Sequence, residues 1–310
     1  MTMAHVLATE PQASDPTDAP QFGVPATDAT TASDDLLQRI DETLDLIAAA
    51  QSIATGAMPL DRVDVSILVP VYNAAETLPE ILDRLEEVMP PATETIVIDD
   101  GSTDDTWQVI RHRMEQYDKK QPKNEESTQK PARPRLLGLH RRRHHGRGSA
   151  IRMAVRHARG AVIAIQDADL AYDPADLLGA IWPILEDKAD VVYGSRTLRH
   201  GYATCDGWAA WWSRLGRRCL TAYSNQLTGL RLSDVTVGQK VFRADLLREL
   251  SLSETGVGFD AEVTAKVARR ADTIMEIPTH FDGQEQLAFA APRWETLRDV
   301  LRSGWQHRAG

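Results

Sequence analysis

From residue 63 onward, short apolar runs alternate with stretches in which apolar residues recur every three or four positions. The runs at 65–69, 95–98, 136–139, 161–165 and 191–193 are short, rich in Val and Ile, and predict buried strands. Between them the spacing predicts helices over 75–88, with Leu78, Ile81, Leu82 and Leu85 on one face, and over 106–117, 149–159 and 174–186. Alternating strands and helices predict an α/β fold, a mostly parallel sheet with helices on both faces in a single domain over 63–290. Residues 118–134 are polar and broken by prolines and predict a surface insertion. Residues 1–33, rich in Ala, Thr, Asp and Pro, offer little to bury and predict a disordered leader. Residues 34–62 predict a helix, started by Ser33-Asp34-Asp35 and carried by Leu36, Leu37, Ile40, Leu44 and Ile47, followed by a linker.

Charge changes this picture in one respect. The chain of 310 residues has a net charge of -10. Its first 60 residues hold nine acids against Arg39 alone, so the acidity belongs to the leader and the remainder is close to neutral. Two cysteines, Cys205 and Cys219, make no disulfide framework and suit a reducing compartment. The first residues lack a basic stretch followed by an apolar one, and no run reaches the roughly 18–20 apolar residues that cross a bilayer. A cytoplasmic protein, able to sit peripherally on the inner face of a membrane, is expected.

The sharpest chemical signal is Gln166-Asp167-Ala168-Asp169, directly after the strand at 161–165. Side chains at i and i+2 of extended chain share a side, so both carboxylates project together. Such a pair suits Mg²⁺ or Mn²⁺ held by one or two carboxylates plus substrate phosphate oxygens. Asp99-Asp100-Gly101-Ser102-Thr103-Asp104 follows the strand at 95–98. Asp99 and Asp100 are expected to face a ligand while Asp104 or Ser102 caps the next helix. Glu262 begins the helical run 263–270, a place for a capping or structural role. Trp208, Trp211 and Trp212 interleave with Arg196, Arg199, Arg214, Arg217 and Arg218. They read either as a surface for lipid headgroups or as a tryptophan core with a solvated basic face. Residues 291–310 form an amphipathic pattern (Trp294, Leu297, Val300, Leu301, Trp305) that is either docked on the domain or interfacial. The basic run Arg141-Arg142-Arg143-His144-His145 lies on no nucleic-acid module, and its adjacent histidines lack metal-ligand spacing.

In order and spacing, a set of segments resembles glycosyltransferase family 2, whose fold is the Rossmann-like GT-A fold. The segments are Val69-Pro70-Val71-Tyr72-Asn73, Val97-Ile98-Asp99-Asp100-Gly101-Ser102, Gly146-Arg147-Gly148, Gln166-Asp167-Ala168-Asp169, Tyr193-Gly194-Ser195-Arg196, Lys240-Val241-Phe242-Arg243 and Gly258-Phe259-Asp260-Ala261-Glu262. Within the family the chain looks most like the dolichol- and undecaprenyl-phosphate mannosyl- and glucosyltransferases. The resemblance implies that Pro70 and Tyr72 line a nucleoside pocket, with Asp99 or Asp100 on base and ribose. It implies that Arg147, where relatives usually carry Lys, lies near the donor, and that Asp167 and Asp169 hold the metal and diphosphate. Ser195, Arg196 and Arg214 would receive an acceptor phosphate, and Lys240 would touch a donor or acceptor phosphate. Asp169, Arg196 and Lys240 would then act closest to the reaction. The implied activity is a metal-dependent, inverting transfer of a hexose from GDP-mannose or UDP-glucose to a polyprenyl phosphate at a membrane surface. The alternatives are a hydroxyl acceptor, for which the resemblance implies Asp260 or Glu262 as general base, and a nucleotide-sugar-binding scaffold without turnover. The chain departs from the family pattern at Ala74, at Ala171, at Thr236-Val237-Gly238-Gln239 and after Phe281.

Overall fold

The computed structural model describes residues 63–120, 135–198, 208–256 and 258–281, together with residues 302 and 306. The leader, the helix over 34–62, residues 121–134 and most of the C-terminal amphipathic segment lie outside the described residues, while residues 118–120, expected in the insertion, continue a helix that ends at Lys120. So do the side chains of Trp208, Trp211, Trp212 and Arg214.

Seven strands form one sheet: β1 (Val65–Val71), β2 (Thr93–Asp99), β3 (Arg135–His140), β4 (Val162–Ile165), β5 (Val191–Ser195), β6 (Lys240–Arg243) and β7 (Ile274–Pro278). Their spatial order is β3-β2-β1-β4-β6-β5-β7. All pairings are parallel except those of β6, which runs antiparallel to both β4 and β5. Helices α1 (Leu78–Val88), α2 (Thr106–Lys120), α3 (Arg147–Val155), α4 (Asp176–Leu185), α5 (Trp208–Thr228), α6 (Ala244–Glu249) and α7 (Gly258–Val267) connect the strands.

The period-2 alternation of each strand explains why there are two cores. Leu68, Ile96, Ile98, Ile163 and Ile165 point to one face, where Ile151 and Ala154 of α3 and Phe259 and Val263 of α7 cover them. Ile67, Val69, Val97, Val162 and Ala164 point to the other, against Leu78, Ile81 and Leu82 of α1 and Leu177 and Ile181 of α4. Both faces are buried, so the strands read as continuous apolar runs.

Some helix ends differ from the pattern's expectation, each for a local reason. Helix α1 begins at Leu78 rather than 75, because the chain first turns at Asn73 (φ 53°). The amides of Ala74 and Ala75 bond the side chains of Thr106 and Asp104. Helix α3 stops at Val155, short of 159, because the amide of Arg159 is taken by Glu94 at the start of β2. The antiparallel β6 matters most for function. Its pairing sets Lys240 beside Ile165 and Tyr193, so an antiparallel strand delivers its amino end to the carboxyl edge of its parallel neighbours. Ligands of open α/β sheets bind at that edge.

Candidate active site

A cavity of about 660 Å³ opens at this edge, lined by Pro70, Tyr72, Asn73, Asp100, His144, Arg147, Asp167 and Asp169 among others. The loops after β1, β2, β3 and β4 all reach it, as the parallel topology requires.

The loops after β1 and β2 are knitted to each other. Asn73 donates its amide to Ser102 Oγ (2.9 Å) and accepts the Thr103 amide at Oδ1 (2.8 Å). Asp104 accepts the Thr106 amide (3.1 Å), the capping role expected of it, and Asp99 accepts the Ser102 amide (2.9 Å). Gly101 has φ 81°, and a Cβ there would lie 2.5 Å from the carbonyl carbon of Arg143, so only glycine fits beneath the loop after β3.

Both acids of the Asp99-Asp100 pair are buried and already engaged. Asp99 also contacts His140 Nδ1 at 2.9 Å. Asp100 accepts the amides of His145 (3.0 Å) and Gly146 (2.6 Å), bonds Arg141 Nη1 (3.0 Å) and meets His144 Nδ1 (2.9 Å). Asp100 thereby gathers the basic loop 141–146 around the cavity mouth, where the His144 ring lies 4.1 Å from that of Tyr72. Of the basic run 141–145, His144 lines the cavity, a place that sequence reasoning, which weighed it only as a metal ligand, did not give it.

The second group of charges sits at the end of β4. Asp167 accepts from Arg147 through Nε (2.8 Å) and Nη2 (3.3 Å), and the same guanidinium reaches Asp260 (3.5 Å) and the Gly238 carbonyl (3.3 Å). Asp260 in turn accepts from Lys240 Nζ at 2.7 Å, and Lys240 also donates to the Val237 carbonyl. Burial alone would raise the Asp260 carboxyl, but Lys240 and Arg147 overcome it and hold the group below the usual carboxylate range. Burial pushes the Lys240 ammonium below the usual lysine range in spite of Asp260. Asp169 accepts the Ala171 amide at 3.2 Å within a loop where Leu170 has φ 57°.

The stretch 236–239, which departs from the family pattern, has a physical explanation. A Cβ at Gly238 would overlap the Asp167 carboxylate and come within 2.9 Å of Tyr172, so glycine leaves the room that Asp167 fills. Gln239 donates to Gln166 Oε1 and to the Asp173 carbonyl, both at 2.8 Å, and fixes the loop that carries the acids. A glycine and an amide immediately before a strand were the available signals for both residues.

Several expected site residues are brought elsewhere. Arg196 is buried in a two-pronged pair with Asp234 (2.5 and 2.8 Å) and lies 5.1 Å from the centre of the Phe281 ring. Ser195 shares its hydroxyl with Ser233 (2.6 Å) and Thr197 (2.9 Å). Neither is among the residues lining this cavity. Arg214 has no described side chain. Lys240 is wholly buried against Asp260 rather than lining the cavity. Glu262 is also wholly buried; it accepts the amides of Ser253 (2.9 Å) and Glu254 (2.7 Å) and pairs with Lys266 (2.6 Å). Burial would raise it, but Lys266 and those amides keep it below its ordinary value. Of the two base candidates, neither lines the cavity.

Among the described residues no group of three or more His, Cys, Asp or Glu converges as a complete metal cage. The donor set nonetheless fits a hard divalent cation of the Mg²⁺ type, which takes one or two carboxylates and draws its other ligands from water and phosphate. Asp167 and Asp169 line one cavity that also exposes Arg147. Also among the described residues, no helix is long and apolar enough to cross a membrane.

Comparison with known proteins agrees with this arrangement. Residues 66–251 match the family described as "Glycosyl transferase family 2". The undecaprenyl-phosphate mannosyltransferase of Micrococcus luteus is 29% identical over 230 residues, covering 70% of this chain and 83% of that protein. The polyprenol monophosphomannose synthase of Mycolicibacterium smegmatis is 27% identical over 226 residues, covering 71% and 77%. Among solved structures, glucosyl-3-phosphoglycerate synthase from Mycobacterium tuberculosis, in complex with Mn²⁺, uridine diphosphate and glucosyl-3-phosphoglycerate, superposes with a TM-score of 0.57. It is 17% identical and covers 84% of each chain, a likeness of fold.

Proposed function

Because the chain belongs to glycosyl transferase family 2, we propose that this glycosyltransferase moves a hexose from a nucleoside diphosphate sugar to a polyprenyl phosphate. The observation that carries the donor half is the convergence of Tyr72, Asp100, Arg147, Asp167 and Asp169 on one cavity. The acceptor half is supported by the relatives named above, both of which are named for sugar transfer to a polyprenyl phosphate.

In this reading the nucleoside lies along Pro70 and Tyr72, with the wall held by Asp99 and Asp100. Asp167 and Asp169 would hold Mg²⁺ or Mn²⁺ against the diphosphate. That ion would stabilise the charge gathering on the departing nucleoside diphosphate. Arg147 adds a guanidinium suited to phosphate oxygens. The acceptor phosphate oxygen forms a bond to the anomeric carbon while the bond from that carbon to the nucleoside diphosphate breaks, which inverts the centre. A phosphate monoester is largely dianionic at neutral pH, its second pKa being about 6, and so needs no general base. The positions of Asp260 and Glu262, each committed to cationic or amide partners, favour such an acceptor over a hydroxyl.

The test is incubation of the full chain with radiolabelled GDP-mannose or UDP-glucose, Mn²⁺ and a polyprenyl phosphate, followed by organic extraction. Label in the lipid phase, lost with Asp169→Ala, is the expected result. Label transferred only to water or to a soluble hydroxyl compound would overturn the acceptor assignment.

A further inference from the structure

The Arg147 guanidinium occupies the oxygens that a cation at Asp167 would need. It bonds both of them, Oδ1 at 2.8 Å and Oδ2 at 3.3 Å, and is anchored from behind by Asp260 and the Gly238 carbonyl. With Lys240 on Asp260, the cluster holds two cations and two anions and is neutral by itself. Burial would lower the guanidinium's pKa, but Asp167 and Asp260 raise it, so it stays charged throughout the accessible pH range. A divalent ion approaching Asp167 alone competes with two charge-assisted bonds for the same carboxylate and must sit beside a like charge.

A diphosphate changes that balance. Its oxygens accept the guanidinium fork as well as a carboxylate does, so Arg147 can exchange one anionic partner for another without losing hydrogen bonds. The exchange is sterically open, because the Arg147 and Asp167 side chains are 28% and 22% exposed and both face the cavity. A lysine at this position would hold Asp167 through a point charge and would block both oxygens less completely.

We propose that Arg147 is a positioning residue that couples the two ligands. It withholds Asp167 from a divalent cation until a nucleoside diphosphate draws the guanidinium away. The proposal rests on the metal-dependent reading above and adds to it an order of events: the cation binds well only with the diphosphate. Coupling of this kind is reciprocal, so the cation must improve nucleotide affinity by the same factor.

The experiment follows Mn²⁺ binding through the electron paramagnetic resonance signal of the free ion, with and without UDP or GDP, in the wild-type chain and in Arg147→Gln. The expected result is weak Mn²⁺ binding by wild type alone and tight binding with nucleotide. In Arg147→Gln, binding of Mn²⁺ alone should tighten by about tenfold, and the gain from adding nucleotide should shrink by a similar factor. If Arg147→Gln does not fold, Arg147→Lys should shift both quantities the same way by a smaller amount. Equal or weaker binding of Mn²⁺ alone by the variant, with nucleotide-dependent binding intact in wild type, would overturn the coupling and spare the metal-dependent reading. Absence of Mn²⁺ binding by wild type under every condition would overturn both.

Discussion

Two acid clusters lie at opposite edges of the same sheet, and only one is built to receive a ligand. At the amino edge, Glu94 at the head of β2 accepts Ser66 Oγ (2.7 Å), the Arg159 amide (2.6 Å) and the Arg159 guanidinium (3.2 Å). Ser66 Oγ in turn accepts the Gly160 amide at 2.8 Å, and a Cβ at Gly160 would lie 2.6 Å from the Ser66 nitrogen. Glu94 and Ser66 are buried there, and among the described residues no cavity opens between them and the half-exposed Arg159 guanidinium that covers them. At the carboxyl edge, Asp167, Arg147, Asp260 and Lys240 form a chain of comparable length, but Asp167 and Arg147 line a cavity of about 660 Å³. A buried ion pair is therefore not by itself a sign of function. What separates the two clusters is whether a partner can be exchanged for one from solution.

The largest effect is expected at the open cluster. Asp169→Ala should lower transfer by about 10³-fold, a loss of several kcal/mol of transition-state stabilisation, while the thermal midpoint without ligand barely moves. The extraction assay and a melting curve check the two halves; a fall in activity matched by a fall in stability would erase the contrast between the edges. Gly238→Ala comes next. Its methyl group would push the Asp167 carboxylate off its bonds to Arg147, and a displacement of that order should reduce kcat/KM by about 10²-fold. Donor-dependent kinetics would show it, and wild-type kinetics in this variant would mean that the Asp167 position is not critical.

The closed cluster should respond the other way. Glu94→Ala leaves the Ser66 hydroxyl without its acceptor and the Arg159 amide with Ser66 Oγ alone at 3.2 Å, and should cost about 2 kcal/mol of stability, read from urea unfolding, with kcat/KM per folded molecule unchanged. Glu262 belongs with the closed kind although it is near the site in sequence. Its folded pKa lies below the ordinary 4.5, so its stabilisation is fully present above about pH 4.5 and is lost as pH falls through the folded value. Glu262→Gln should thus be less stable than wild type by about 1 kcal/mol at pH 7. The difference should fade in acid, and transfer should persist; loss of transfer with stability intact would reinstate Glu262 as a base.

The same contrast explains what could be read from the sequence. Asp167, Asp169, Asp99 and Asp100 stood out because each pair follows an apolar run, and a strand's end is fixed by local pattern. The α/β layering was legible for the same reason. The partners that finish the site were not. Gly238 and Gln239 reach Asp167 and Gln166 only through the antiparallel pairing of β6 with β4, in which Lys240 meets Ile165. That register is a property of the assembled sheet, more than 70 residues away along the chain. Arg196 shows the converse. A guanidinium after a strand, among other arginines, looks free for a phosphate, and its pairing with Asp234, 38 residues on, shows only in the folded chain.

The central claim is that the carboxyl-edge cavity takes a nucleoside diphosphate sugar. A thermal-shift titration with GDP, UDP, GDP-mannose and UDP-glucose, with and without Mn²⁺, tests it most directly, since a ligand bound only by the native state must raise the melting temperature. The account predicts a rise with one nucleotide series, larger in the presence of Mn²⁺ and diminished in Asp169→Ala. No rise with any of the four, in the presence or absence of the ion, would contradict it.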